Sequence, residues 1–246
     1  MNHLSAVDRE SIYNLSKESI FESSEDAQEC RNYLKTRNIS KQTALDFSLG
    51  YMPSRVNHFL SDRLILPIKY CDNSLAYLTT RKFRGDSINK GHWHESFDKS
   101  IFLFCHPDAY SVAYEKKYAV IVEGQFDCMA LAQKGVLNTF SILGSNFSRK
   151  QILLLLGIFQ NIILFFDNDD AGNNSAKKVL DTFYKEKMYK KNYSIKKWPK
   201  YNYKDPDDLV KNMSYQQFKQ YYNSNINLIL GDVNVRRDQQ TSIFNF

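Results

Sequence analysis

Three clusters of acidic residues stand in the second half of this chain, and two of them directly follow short, wholly apolar runs. The first cluster lies in 120–127, the second in 162–172 and the third in 204–208. Their candidate carboxylates are Glu123, Asp127, Asp167, Asp169, Asp205 and Asp207, and Asp170 and Asp208 stand beside them. Hard oxygen ligands of this kind suit Mg²⁺ or Mn²⁺ better than a soft metal. Two divalent ions can activate an attacking oxygen and stabilise a leaving one, and holding them takes carboxylates from separate segments. The clusters therefore predict metal-assisted phosphoryl chemistry.

The elements around the clusters alternate between strand and helix patterns from residue 118 onward. We predict strands at 118–122, 139–143 and 162–166 and helices at 126–134, 150–159 and 173–187. This alternation is typical of a parallel α/β sheet, in which ligands bind outside the carboxyl ends of the strands. Glu123 and Asp167 would lie on that edge, with Asp127 one helical turn further on. Each cluster taken alone also fits an ordinary turn or helix cap.

The first half of the chain has a different order of elements, with helices before strands. Helices are predicted at 25–37 and 41–48, and strand-like segments at 63–68, 76–83 and 97–104. We therefore expect an α+β N-terminal subdomain followed by an α/β domain with a central, mainly parallel sheet. The expected divisions are a loosely ordered N-terminus at 1–24, the N-terminal subdomain at 25–115, the α/β domain at 116–213, and a C-terminal helix and tail at 214–246.

The charge of the chain is unevenly distributed. Its formal net charge is +6, but the three clusters hold eight of the 27 acidic residues, which leaves 19 against 33 basic residues and a balance of +14. A basic body around an acidic site attracts polyanions, and nucleic acid is the natural partner. A composition rich in Lys and Asn can also reflect an AT-rich genome.

Several classes of protein are disfavoured by composition. The four cysteines are scattered without a CxxC pair, so we expect neither zinc nor disulfides, and the four residues are Cys30, Cys71, Cys105 and Cys128. No apolar stretch approaches the roughly 20 residues needed to span a bilayer. The first ten residues lack the pattern of a signal peptide. We therefore expect a cytoplasmic protein that does not associate with membranes.

The acidic clusters, in this order, resemble the Toprim domain, which is marked by Glu-Gly after its first strand and Asp-x-Asp after its third. These marks are Glu123-Gly124 and Asp167-Asn168-Asp169 here. Within that superfamily the likeness is closest to bacterial-type replicative primases. The further matching motifs are Asp127, Ala130-Leu131-Ala132-Gln133, Leu143-Gly144-Ser145 and Asp205-Pro206-Asp207.

The segment 63–104 extends this likeness, because it resembles the primase N-terminal subdomain. The matching positions are Arg63, Pro67-Ile68, Arg81 and Phe97-Asp98-Lys99. The fold class implied is an α+β subdomain followed by an α/β Toprim domain. The activity implied is synthesis of short RNA primers from ribonucleoside triphosphates on single-stranded DNA during replication.

The resemblance also implies roles for individual residues. Glu123 would be the acid–base or metal-organising carboxylate, and the metal ligands would include Asp167 and Asp169. Asp205 and Asp207 would be further metal ligands, and Asp127 would complete the acidic catalytic site. The basic residues that would contact triphosphate, template or nascent strand are Arg63, Arg81, Lys90 and Lys99. A solvated surface charge is the alternative for each basic residue. Tyr201 and Tyr203 are candidates for stacking on unpaired bases.

The chain also departs from the primase pattern. We find no zinc-binding module, no helicase-binding domain and no GxxxxGK[ST] motif. This predicts a minimal, phage-like catalytic core, located in the host cytoplasm if phage-encoded. Its partners would be a replicative helicase and other replication proteins, for which the tail residues 243–246 are a candidate contact.

Two other functions remain open. A Toprim-type nuclease would use the same carboxylates to activate water, and a non-catalytic DNA-binding accessory of replication would not use them. The upstream likeness and Asp205-Pro206-Asp207 favour the primase over the nuclease. A topoisomerase is disfavoured because the chain is short for a strand-gating apparatus.

Overall fold

The structure, a computed structural model, describes residues 5–53, 60–84, 92–188 and 192–241. The α-helices in these ranges are α1 (Ala6–Ser19), α2 (Glu25–Thr36), α3 (Lys41–Asp46), α4 (Ala109–Lys116), α5 (Gln125–Gln133), α6 (Arg149–Leu156), α7 (Asp170–Lys185), α8 (Pro206–Lys211) and α9 (Tyr215–Thr241). The strands are β1 (Gly50–Tyr51), β2 (Arg63–Lys69), β3 (Leu75–Lys82), β4 (His92–His94), β5 (Phe104–Cys105), β6 (Tyr118–Val122), β7 (Thr139–Ser141), β8 (Asn161–Leu164) and β9 (Ser194–Lys197).

The N-terminal part is built on an antiparallel sheet with the strand order β1-β2-β3-β4. Alternate residues of β2 point to opposite faces, and both faces are covered. Leu64 and Leu66 join the largest core cluster, whereas Ile65 packs with Tyr13 of α1 on the other face. Because both faces are buried, β2 is a nearly continuous apolar run rather than an alternating one.

Helix α1 corrects the expectation that residues 1–24 are loosely ordered. Ser5 caps this helix, and its hydroxyl oxygen accepts a hydrogen bond from the backbone N–H of Asp8 at 3.1 Å. Tyr13, Ser16 and Ile20 follow at intervals of three and four residues and are buried. These three residues form a short buried stripe that includes a serine. The sequence therefore lacks the apolar periodicity from which an amphipathic helix is predicted.

The second sheet has the strand order β5-β7-β6-β8-β9. Strand β6 pairs in parallel with β7 and β8, and β8 pairs in parallel with β9, while β5 is an antiparallel edge strand. This confirms the expected central, mainly parallel sheet. Val120 and Val122 face one core cluster and Ala119 and Ile121 face another, so helices cover both sides.

Some predicted elements differ from the observed ones. The strand-like segment 97–104 instead contains a 3₁₀ turn at Lys99–Ile101 and only the two-residue strand β5. The turn forms because the Asp98 carboxylate accepts a hydrogen bond from the backbone N–H of Ser100 at 3.0 Å. Strands β4 and β9 and helices α4 and α8 were not predicted.

Helix α9 lies in the region 214–246, where a C-terminal helix was expected, and it extends to Thr241. It packs on the second sheet through aromatic rings: Tyr222 stacks on Trp198 at 5.4 Å, and Trp198 stacks on Phe165 at 4.2 Å between ring centroids. Across the described ranges, no helix has the length and apolar character needed to cross a membrane.

Candidate active site

The first two acidic clusters meet at one edge of the parallel sheet. Glu123 directly follows β6, and Asp167 follows the neighbouring strand β8, whose Leu164 pairs with Ile121. A cavity of about 490 Å³ opens at this edge. The residues that line it are Thr79, Lys99, Glu123, Gly124, Gln125, Asp127, Leu143, Gly144, Ser145 and Asp167. The cavity thus lies between the carboxyl ends of the strands and the antiparallel sheet.

The pKa values of Glu123 and Asp167 are both raised at this site. Burial, followed by the charges of Asp167 and Asp169, raises the pKa of Glu123 to about 7, although a backbone hydrogen bond from Asp167 opposes this. Burial, followed by the charges of Asp205 and Asp169, raises the pKa of Asp167 to about 6. Glu123 Oε1 and Asp167 Oδ1 are buried and have no hydrogen-bond partner within the described ranges. Such atoms are costly unless a ligand binds them.

Two glycines allow the acidic turns to approach each other. A Cβ atom at Gly172 would lie 2.2 Å from the carbonyl oxygen of Asp167 and 3.0 Å from Glu123 Oε1. A Cβ atom at Gly124 would lie 2.6 Å from Asp127 Oδ2. Only glycine fits at these contacts without a shift of the Asp167 backbone or of the Asp127 carboxylate.

Asp127 links the first cluster to the third and is only 7% exposed. Its two oxygens accept hydrogen bonds from the backbone N–H groups of Gly124 at 3.2 Å and Asp207 at 3.0 Å. Burial, followed by the charges of Asp167, Asp205 and Asp207, raises its pKa well above the usual range. Asp127 therefore lies at the site, but both of its oxygens are already engaged.

Asp169 and Asp205 both cap helices. Asp169 Oδ1 accepts from the N–H of Gly172 at 2.8 Å at the start of α7. Asp205 Oδ1 accepts from the N–H of Asp208 at 2.7 Å at the start of α8. Each carboxylate uses one oxygen as a cap and keeps a second oxygen that could bind a ligand.

Asp207 lies between two cations and is 4% exposed. Its Oδ2 lies 2.7 Å from Lys211 Nζ and 3.4 Å from Arg37 Nη2. The Arg37 guanidinium also lies over the ring of Phe126, 4.4 Å from its centroid. Lys211 stands four residues after Asp207 on one helix, a spacing that the sequence shows. Nothing in the sequence pointed to Arg37, because it lies on a distant segment.

The loops after β8 and β9 are held together by hydrogen bonds. The backbone N–H of Asn168 donates to the carbonyl oxygen of Lys204 at 2.8 Å, and its side-chain amide donates to the carbonyl oxygen of Tyr201. The hydroxyl of Tyr201 donates to the carbonyl oxygen of Phe166 at 3.0 Å. Tyr201 is buried in the core, so its expected role in stacking on bases is wrong, and Tyr203 is partly buried against the same core.

The predicted basic residues do not all converge on the cavity. Lys99 lines it, and burial lowers the pKa of its ammonium group. Arg81 lies two residues after Thr79 on β3 and therefore on the same face of the strand. Arg63 lies on the opposite face, where its Nη1 donates to Thr80 Oγ1 at 3.2 Å. Lys90 lies outside the described residues, as do the tail residues 243–246.

Two cavity residues had no sequence signal. Gln125 Nε2 donates a hydrogen bond to Thr79 Oγ1 at 3.0 Å, and both side chains line the cavity. They are separated by 46 positions in the chain, and neither residue type by itself indicates a site.

In the part of the chain that the structure describes, no three His, Cys, Asp or Glu side chains lie close enough together to hold a metal ion.

Comparison with protein families gives a match to the Toprim-like family over residues 120–210. The DNA primase of Thermotoga maritima is 28% identical over 217 residues, covering 75% of this chain and 38% of the relative. The DNA primase of Aquifex aeolicus is 25% identical over 237 residues, covering 80% of this chain and 45% of the relative. The chain therefore spans less than half the length of these curated relatives.

Solved structures of primases show the same fold. The Escherichia coli primase catalytic core matches with a TM-score of 0.72 and 21% identity, over 85% of this chain and 76% of that one. The DnaG primase catalytic domain bound to single-stranded DNA matches with a TM-score of 0.74 and 20% identity, over 88% and 77%. These comparisons confirm the resemblance: the chain has the fold of a bacterial-type primase catalytic core, and its residues 120–210 match the Toprim-like family.

Proposed function

We propose that this chain is the catalytic core of a DNA primase, a nucleotidyltransferase that synthesises short RNA primers on single-stranded DNA during replication. One observation carries the proposal. Glu123 and Asp167 line one cavity together with Lys99 and Thr79 of β3, and each has one buried oxygen without a hydrogen-bond partner among the described residues. The relatives named DNA primase support the same activity, as does the related catalytic domain that was solved with single-stranded DNA.

The donor set at the site has the chemistry that suits a hard divalent cation, because it consists of carboxylate oxygens, two of which are buried and have no partner in the described part of the chain. Glu123 and Asp167 would hold the cation. Asp169 and Asp205 each keep one oxygen that is free of its helix cap, and they would have to move closer to join the coordination, because no three such side chains of the described residues lie within reach of one ion. When bound, Mg²⁺ or Mn²⁺ would activate the attacking hydroxyl and neutralise charge on the transferred phosphate. Asp207 would add negative charge and help to place α8.

Without a bound cation, Glu123 changes its protonation state near neutral pH, because its pKa is about 7. In our proposal its carboxylate accepts the proton of the attacking 3′-hydroxyl or orients that hydroxyl. Asp127 would position Glu123 indirectly, because its carboxylate accepts hydrogen bonds from the neighbouring Gly124 and from Asp207 at the start of α8.

The cationic residues of the cavity would bind the substrates. Lys99 lines the same cavity as Glu123 and Asp167, where its ammonium group suits the triphosphate. Arg81 would contact the template or the nascent strand; its Nε is buried and unpartnered among the described residues. Binding through Arg63 and Lys90 stays a prediction, as do the domain divisions, the helicase partner, the tail contact and the cytoplasmic location.

The experiment that tests the proposal is incubation of the protein with single-stranded DNA, labelled ribonucleoside triphosphates and Mg²⁺ or Mn²⁺. We expect short labelled RNA whose formation requires both template and metal. Shortened DNA without RNA would favour the nuclease. DNA binding with neither product would favour a non-catalytic accessory, and both results overturn the proposal.

A further inference from the structure

The antiparallel sheet and the acidic turn meet at the cavity through one pair of side chains. Gln125, the first residue of α5, donates from Nε2 to Thr79 Oγ1 at 3.0 Å. The Thr79 hydroxyl lies 2.8 Å from the carbonyl oxygen of Leu66 and 3.4 Å from Gln125 Oε1, so we assign its single hydrogen to the shorter bond, to Leu66. The hydroxyl oxygen of Thr79 is therefore an acceptor toward Gln125. The two bonds form a chain from the backbone of β2 to the start of α5.

Both ends of this chain of bonds are firmly placed. Thr79 is 5% exposed, and its backbone pairs with Leu66 in the ladder between β2 and β3. Gln125 stands two residues after Glu123 and two before Asp127, at the start of α5 and within the first cluster. Since Arg81 shares a face of β3 with Thr79, the bond connects the strand that carries Arg81 to the turn that carries Glu123.

We propose that Gln125 is a positioning residue for primer synthesis: its bond to Thr79 sets the position of the Glu123 carboxylate relative to the substrate-binding face of β3. The inference rests on the proposed function and deepens it. Removing the bond takes away no metal ligand and no cation, so binding of metal and of DNA persists. The alignment of the reacting groups is lost instead, and small misplacements of this kind reduce turnover strongly.

Helix α5 provides a matched control at its other end. Gln133, the last residue of α5, accepts a hydrogen bond from the backbone N–H of Ser40 at 2.8 Å and donates to the carbonyl oxygen of Asn38 at 2.9 Å. It joins α5 to the N-terminal part as Gln125 does, but about 12 Å along the helix and outside the cavity lining. Gln133→Leu therefore loosens the contact between the two parts without touching the reacting groups.

The test measures kcat and KM for primer synthesis in five variants: Gln125→Leu, Thr79→Val, the double variant, Thr79→Ser and Gln133→Leu. Calorimetry with Mn²⁺ and fluorescence anisotropy with single-stranded DNA report binding separately. We expect each single loss of the bond to lower kcat about 10- to 100-fold with little change in KM or in binding. The double variant should fall no further, and Thr79→Ser, which keeps the hydroxyl, should recover most of the rate lost in Thr79→Val.

Three results would overturn the inference. They are losses that multiply in the double variant, an equal loss in Gln133→Leu, and unchanged kcat in Gln125→Leu. A wild-type protein that binds DNA and Mn²⁺ but makes no RNA would instead refute the proposed function and, with it, the positioning role. The two failures are thus told apart by the wild-type product alone.

Discussion

Protons and metal ions compete for Glu123 and Asp167, so metal affinity should rise steeply with pH. With a pKa of about 7, Glu123 is ionised in about one molecule in eleven at pH 6 and about ten in eleven at pH 8. With a pKa of about 6, Asp167 goes from half to almost fully ionised. A cation that needs both carboxylates should therefore bind about 20-fold more tightly at pH 8 than at pH 6.

Isothermal titration calorimetry with Mn²⁺ at pH 6, 7 and 8 measures this ratio, and buffers of different ionisation enthalpy measure the protons released. Glu123→Gln removes the larger part of the effect and should leave a ratio of about twofold, because only Asp167 then titrates in this range. A wild-type Kd that does not change with pH would refute the competition. A steep dependence retained in Glu123→Gln would show that other groups titrate at the site.

Three further outcomes are expected. Gly172→Ala should weaken Mn²⁺ binding by at least about tenfold in calorimetry, because its Cβ atom would collide with Asp167 O and displace the carboxylates. Glu95→Ala should lower the free energy of unfolding by about 3 kcal/mol in urea titrations, since Glu95 is 1% exposed and its loss leaves Arg9 without the ion pair at 2.8 Å. Without metal, the melting temperature should fall from pH 5 to pH 8 and fall less in Glu123→Gln, because the folded state keeps a proton on Glu123 that the unfolded state has released.

Each outcome has a control. Gly231→Ala adds a Cβ atom in α9 that has no atom of the described residues within 4 Å, so it should keep the Kd for Mn²⁺ and favour the helix. Equal Kd values in Gly172→Ala and Gly231→Ala would show that the close turns do not shape the site. Wild-type stability in Glu95→Ala would mean that solvent replaces the buried carboxylate, and a melting temperature that rises with pH would reverse the sign expected for a raised pKa.

The parallel sheet was predictable because its central strands are buried on both faces. Strand β6 has the predicted bounds, because its five residues are all apolar and buried and a polar turn follows them directly. Strand β9 lies at the sheet edge and has only Ile195 buried, so its sequence carries almost no strand pattern. Helix α1 escaped prediction for a related reason, because its buried stripe is polar in part.

The site was predictable where it depends on the ends of strands and was not where it depends on distant partners. Glu123 and Asp167 follow from apolar runs that stop at a carboxylate. Whether Asp169 caps a helix or binds a ligand cannot be read from its neighbours, because the same residue suits both. Thr79, Gln125 and Arg37 join the site through contacts between the two parts of the chain, and local patterns do not encode such contacts.

The most direct measurement compares the wild type with Asp167→Asn on one single-stranded DNA template, following both RNA product and DNA affinity over a range of salt concentrations. Asp181→Asn, an exposed change on α7, is the matched control. We predict that Asp167→Asn makes no RNA while it binds DNA with the affinity and steep salt dependence of the wild type, and that Asp181→Asn does both. Equal loss of synthesis and binding in Asp167→Asn, or RNA synthesis that survives the substitution, would contradict a phosphoryl-transfer role for the carboxylates at the sheet edge.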